Sequence, residues 1–278
     1  MTVGAETVEI TRRGSYELAS GEMVSIAEAV ARAVAGTVLY RPGDYETLNP
    51  LEAGGSAPAL LEVSAETTAE AARRLVESDG IARVAALNFA SAKNPGGGFL
   101  GGAKAQEEDL ARCSALYACQ VTQRAYYAAN RATASMLYTD HLIYSPDVPF
   151  FRDERHELLR APFIVSVITS PAPNAGAALG RGEASRVRST LERRAEQVLR
   201  VAAHHGHRVL VLGAWGCGVF RNEPHVVADV FAQLLSNGAL ARAFTRVVFA
   251  IYDRTKGQGT LRAFQARINE GRPRATVP

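Results

Sequence analysis

The chain has 278 residues, 47% of them apolar and 21% charged, with a formal net charge of +3. This is the profile of a globular protein with a full-sized core, and the mild basicity suits an anionic ligand while falling short of the footprint of a duplex-DNA binder. Three widely spaced cysteines without a C-x-x-C pair exclude a disulfide framework or zinc ribbon, and the lack of any run of about 18 apolar residues excludes a membrane helix, so a reducing cytoplasmic setting is expected.

The opening stretch MTVGAETVEITRRGSYELAS lacks the apolar core of a signal peptide. A helical patch, SIAEAVARAVAG, follows, and then a Pro/Gly-rich connector, RPGDYETLNPLEAGGSAP. Residues 1–55 therefore read as an irregular N-terminal extension packed on a core formed by residues 56–278, a single domain overall. From residue 59 short apolar runs alternate with helical segments. ALLEV (59–63) is a buried strand, and TTAEAARRLVES is an amphipathic helix opened by Thr67 or Thr68. ARVAALNFA (82–90) is a second strand. DLARCSALYACQ carries Leu110, Cys113, Leu116 and Tyr117 at helical spacing. HLIYSP (141–146) and APFIVSVITSPAP (161–173) are strands, and a long charged helix with a solvated basic face covers 185–206. Strand 208–215, a helix near 224–237, strand 246–253 and a helix near 257–269 close the pattern. This alternation predicts an α/β fold with a parallel or mixed central sheet.

In open α/β sheets ligands bind beyond the carboxyl ends of strands. Two glycine-rich loops stand there, 96-GGGFLGG-102 and 213-GAWGCGVFRN-222. Backbone N–H groups in such loops make anion-binding concavities, so the pair suits a diphosphate, although a plain turn explains either loop alone. Neither ends in G-K-[ST], which disfavours a nucleoside triphosphatase. The first loop runs into Gln106, Glu107 and Glu108 at a helix start. Carboxylates in a first helical turn are commonplace, because the macrodipole favours them. Adjacent helical residues, however, point about 100° apart, which gives these two different tasks. A carboxylate beside bound phosphates is also pushed toward its protonated form, as a general acid requires.

These residues resemble a known family. GGG, seven residues and QEE together resemble the signature of poly(ADP-ribose) glycohydrolases, and 87-LNFASAKNPGGGFLGGAKAQEE-108, 138-YTDHLIYSPDVPFFRD-153, 169-TSPAPN-174, 211-VLGAWGCGVFRN-222 and 249-FAIYDR-254 resemble its bacterial-type branch. The likeness runs from about residue 5 to about residue 270. It implies a macrodomain-like three-layer α/β fold with a mixed central sheet. The activity implied is cleavage of ribose–ribose O-glycosidic bonds in poly(ADP-ribose) to release ADP-ribose, working from the chain terminus on ADP-ribosylated proteins. In that likeness Glu108 is the general acid/base and Glu107 holds the ribose hydroxyls. Gly96, Gly97 and Gly98 lie against the diphosphate, with Gln106 also among the substrate-binding residues. Gly216, Cys217, Gly218, Val219 and Phe220 form the second cradle, Phe220 as an aromatic platform. Asn88 falls near a ribose-contacting asparagine, and the adenine is expected around Glu62 to Thr68. No cofactor or metal is implied. The 204-HHGH-207 run ends a charged helix, where histidine is favoured by the dipole, and is not expected to bind metal. Two other readings stay open: a non-catalytic ADP-ribose-binding macrodomain, and a macro-type hydrolase that removes single ADP-ribose units from proteins. The QEE after the first loop separates the first of these, since a reader needs no general acid.

Overall fold

Side chains along the central strands alternate between two cores. In β5 (Val84–Phe89), Val84 and Ala86 face one side while Ala85 and Leu87 face the other. β8 (Val209–Gly213) and β9 (Arg246–Ala250) divide in the same way. Strands that are apolar at nearly every position belong in a sheet covered on both faces.

The computed structural model describes residues 2–48, 57–236 and 238–270 and contains that sheet. Its remaining strands are β3 (Val38–Tyr40), β4 (Leu60–Ser64), β6 (Leu142–Arg152) and β7 (Leu158–Ser170), and the seven lie in the order β3–β6–β7–β5–β8–β9–β4. From β7 to β4 all neighbours are parallel, whereas β6 is antiparallel to both β7 and β3. One face is covered by α8 (Val187–His204), α9 (Pro224–Ser236) and α11 (Gly259–Glu270), which supply Leu191, Val198, Phe231 and Phe264 to the core. The other face carries α1 (Val3–Arg13), α2 (Ala27–Ala35), α3 (Thr68–Arg73), α4 (Gln106–Cys113) and α5 (Leu116–Gln120), with Ile10, Ala33, Ala71, Leu110 and Leu116. Smaller elements are the hairpin β1 (Ser15–Glu17) and β2 (Met23–Ser25), and the helices α6 (Arg124–Ala132), α7 (Ala175–Leu179) and α10 (Gly238–Ala243). The mixed three-layer α/β architecture expected from the sequence is therefore present.

Three differences have local causes. The single helix expected over 109–120 is broken at Ser114, whose hydroxyl donates to the Leu110 carbonyl at 2.7 Å. Its backbone is extended and bridges to Phe150, a competition with the helix that serine side chains favour. The strand expected to stop at Pro146 continues to Arg152, because a register shift between Ser145 and Val148 absorbs the proline. The first 48 residues are also more ordered than their pattern suggests. Helix α1 buries Gly4, Thr7 and Ile10, a face with little apolar signal, and β3 extends the main sheet. Of the Pro/Gly-rich connector, residues 49–56 lie outside the described residues.

Candidate active site

β5 delivers Asn88 and α4 delivers two glutamates to the edge of the sheet where the parallel strands end. Glu107 points inward and is only 2% exposed. Its Oε1 accepts from Asn88 Nδ2 at 3.0 Å and Gln120 Nε2 at 2.8 Å, and its Oε2 accepts from the Ser91 N–H at 2.6 Å. Burial pushes this carboxyl up to about 7, while the three donors pull the other way. The group is thus balanced near neutrality, held rigidly, with a lone pair left on Oε2. Asn88 is itself fixed by Thr169 Oγ1 at 3.1 Å. Gln120, which sequence reasoning missed, joins both parts of the site: its amide donates to Glu107 and its carbonyl oxygen accepts from the Gly96 N–H at 2.8 Å. A glutamine inside a helical apolar pattern is the signal that marks it, since such a position is normally apolar.

Glu108 turns the other way, toward the glycine loop. Its Oε1 accepts from the Gly98 N–H at 2.9 Å, and among the described residues Oε2 has no protein donor. Gly97 lies over both carboxylates. A Cβ on Gly97 would stand 2.3 Å from Glu108 Oε1 and 3.2 Å from Glu107 Oε2, and the backbone there has φ +58°. The left-handed backbone favours glycine, and a side chain there would push the Glu108 carboxylate aside.

The first loop corrects one expectation. Its N–H groups do not form an anion nest, because Gly96 donates to Gln120, Gly97 to the Asn94 carbonyl and Gly98 to Glu108. With these three donors engaged inside the protein, Gly97 lies without a side chain against the two acids.

The second loop has the opposite character. Among the described residues the N–H groups of Gly218, Val219 and Phe220 have no protein acceptor, and Val219 is 83% exposed. Three consecutive free donors at the end of β8 suit an anionic ligand. The loop is locked from below by Asn222, whose Nδ2 donates to the carbonyls of Pro173 at 2.8 Å and Gly216 at 3.1 Å. Gly216 has φ +73°, and a Cβ there would lie 2.5 Å from both Ala172 Cβ and Asn222 Nδ2. Phe220 is partly exposed, with its ring 5.7 Å from that of Tyr138. Burial pushes the Cys217 thiol up to about 12, so it stays protonated as a small loop residue. Trp215 is buried and donates to the Ser170 carbonyl at 3.0 Å.

Other expected residues are placed differently. The amide of Gln106 is engaged within the protein. Its oxygen accepts from Phe89 N–H at 2.8 Å, and its nitrogen donates to Thr68 Oγ1 at 3.0 Å and the Leu87 carbonyl at 2.8 Å. These bonds tie the start of α4 to β5 and to Thr68. Asn88 turns its Nδ2 to Glu107 and Thr169, and among the described residues its buried Oδ1 has no protein partner. Around the expected adenine edge, Glu62 and Glu66 pair with Arg74 at 2.9 and 2.7 Å, and Thr67 caps α3 together with Glu70. Of the HHGH run, His205 stacks on Tyr144 at 3.6 Å and meets Tyr40 Oη at 2.8 Å, and His207 meets Tyr144 Oη at 2.8 Å. Burial pushes both imidazoles down to about 4, so they pack as neutral rings. The solvated basic face expected of 185–206 has an exception in Arg194. It is 1% exposed and donates to Asp140, Pro171 and Leu137. It falls on the helical stripe of Leu191, Ala195 and Val198, a register that marked it as buried.

The chain was compared with known proteins. A family model described as microbial-type PARG, catalytic domain, matches residues 4–153. A search of curated proteins gives no match. Among solved structures, poly(ADP-ribose) glycohydrolase from Thermomonospora curvata is 50% identical with a TM-score of 0.91, over 95% of this chain and 97% of that one. The same enzyme bound to the inhibitor ADP-HPD superposes with a TM-score of 0.88, at the same identity and coverage. Poly(ADP-ribose) glycohydrolase from Deinococcus radiodurans in complex with ADP-ribose is 49% identical with a TM-score of 0.82, over 89% of this chain and 99% of that one.

Proposed function

The chain belongs to the microbial-type poly(ADP-ribose) glycohydrolases, glycoside hydrolases of the polymer, and from that premise we propose that Glu108 is its general acid and base. The observation that carries this assignment is the contrast between the two carboxylates. Glu107 is enclosed by three protein donors, whereas among the described residues Glu108 keeps an oxygen without one beside a glycine that admits close approach. Glu108 gives its proton to the ribose oxygen that leaves as the ribose–ribose C–O bond breaks. The sugar left behind develops oxocarbenium character. Ionised Glu108 then removes a proton from the water that attacks the anomeric carbon, which restores the acid and frees ADP-ribose.

Glu107 holds the hydroxyls of the sugar being cleaved through the remaining lone pair of Oε2. The free N–H groups of residues 218–220 bind the diphosphate, whose charge also stabilises the cationic ribose. Gly96, Gly97 and Gly98 admit the substrate above the acids, and Phe220 is a platform for the nucleoside end. Gln106 and Asn88 act as positioning residues. The enzyme works from the chain terminus on ADP-ribosylated proteins, as its likeness to the bacterial branch implies. Among the described residues no helix is long and apolar enough to cross a membrane, and the three free cysteines fit a reducing cytoplasm.

The test is digestion of poly(ADP-ribose) by wild type and Glu108→Gln, with ADP-ribose affinity measured on both. Wild type should release ADP-ribose early, without multi-unit oligomers. The variant should bind within a few-fold of wild type but turn over roughly a thousandfold more slowly, within the usual range for removing a general acid. If both proteins bind and neither cleaves, the site is a reader or a mono-ADP-ribosyl hydrolase. Early oligomer release would overturn the terminal preference.

A further inference from the structure

On the far side of α4 lies a cluster that the reaction does not use. Asp109 and Cys113 stand four residues apart, one turn along the same helix face. His156 reaches them from the turn between β6 and β7. One ligand-capable atom from each of the three lies within 4.8 Å of the other two. His156 Nε2 is 3.0 Å from Asp109 Oδ1, and Cys113 Sγ donates to the Asp153 carbonyl at 3.5 Å. The turn is fixed independently, since Arg152 Nη1 donates to the His156 carbonyl at 2.7 Å and Asp153 Oδ1 accepts from the N–H groups of Arg155 and Glu157. The neighbouring guanidiniums are committed elsewhere: Arg112 to the carbonyls of Phe99 and Ala103, Arg152 also to Thr7 and Glu6.

We propose that Asp109, Cys113 and His156 bind a divalent transition metal of the zinc class, with solvent as the fourth ligand. One carboxylate oxygen, one sulfur and one imidazole nitrogen are donors that Zn²⁺ accepts in tetrahedral geometry, and harder cations such as Mg²⁺ disfavour the thiolate. Cys113 forms the buried floor, while the Asp109 and His156 side chains are 29% and 28% exposed, which opens a path for the ion and a solvent-side position. On binding, the Asp109–His156 hydrogen bond is replaced by two metal bonds. The imidazole proton moves from Nε2 to Nδ1 with no net loss, and the Cys113 thiol gives one proton to solvent as its sulfur bonds the metal. Burial raises both the thiol and the Asp109 carboxyl, and a bound dication reverses that preference. The metal then ties the first turn of α4, which carries Glu107 and Glu108, to the β6–β7 turn. Its role is to hold the acids in place, not to touch substrate.

The test uses the full chain without an affinity tag, kept reduced and titrated with Co²⁺. A thiolate-to-cobalt charge-transfer band should appear in the near ultraviolet, saturate at one equivalent and vanish when Zn²⁺ is added, and Zn²⁺ alone should raise the thermal midpoint. Cys113→Ser and His156→Ala should each lose the band, and Cys217→Ser should keep it. His156→Ala sits on a partly exposed turn, so it remains decisive if Cys113→Ser does not fold. Absence of the band in wild type, its persistence in His156→Ala or its loss in Cys217→Ser overturns the proposal.

Discussion

Adjacent residues with the same side chain end in unlike environments here. Glu107 is buried against three donors and pushed up to about 7, while Glu108 meets one N–H and otherwise faces outward. The sequence shows that i and i+1 must diverge on a helix, but not which carboxylate is swallowed, because that depends on Asn88, Ser91 and Gln120 arriving from other elements. The raised carboxyl has a consequence for stability. Its folded value, about 7, exceeds the ordinary 4.5, so the folded state binds the proton more tightly than the unfolded chain. Stability from this group is therefore full below about pH 4.5 and is lost as pH rises to about 7, by roughly 3 kcal/mol in all at about 1.4 kcal/mol per unit. Urea unfolding of wild type and Glu107→Gln across this window checks it: the wild-type unfolding free energy should fall relative to the variant by that order. Parallel pH profiles would mean that the carboxyl titrates normally.

The two glycine loops are alike in sequence and differ in where their N–H groups are directed. The first spends its N–H groups on Gln120, Asn94 and Glu108, while among the described residues three N–H groups of the second have no protein acceptor. Local pattern does not distinguish them, since two of the first loop's three acceptors, Glu108 and Gln120, come from α4 and α5. What the second loop needs is its shape, held by Asn222 and by the left-handed backbone of Gly216. Gly216→Ala places a methyl 2.5 Å from Ala172 Cβ and Asn222 Nδ2 at a φ that disfavours any side chain. It should weaken ADP-ribose binding by about tenfold or more, equivalent to about 1.4 kcal/mol of misplaced contacts, and lower the thermal midpoint. Calorimetric titration and a melting curve read both. Gly218→Ala, with open space around its Cα, should leave the midpoint unchanged, and equal destabilisation by the two variants would refute the steric account.

Over the whole molecule, the N-terminal residues are stitched into the fold rather than laid on it. β3 closes the β6 edge of the sheet, Tyr16 Oη donates to the Leu159 carbonyl at 2.6 Å, and Arg152, 4% exposed, depends on Thr7 and Glu6 for partners. Deleting residues 1–41 should leave an unpaired strand edge and a buried guanidinium stripped of two partners, and the product should aggregate. Size-exclusion chromatography of the truncated chain decides the point, and a monomer melting like wild type would refute it. The strand–helix alternation, the position of both loops at strand ends and the QEE after the first were legible in the sequence, because periodicity and glycine content are local properties of a chain, and the resemblance to a family implied the three layers. The sequence did not determine the break at Ser114, the hydrogen bonds that hold Gln106 and Asn88 or the different partners of the two loops' N–H groups. Those depend on which donors and acceptors from distant segments meet, and the tertiary structure decides that by packing β5, α4 and α5 around a single buried carboxylate.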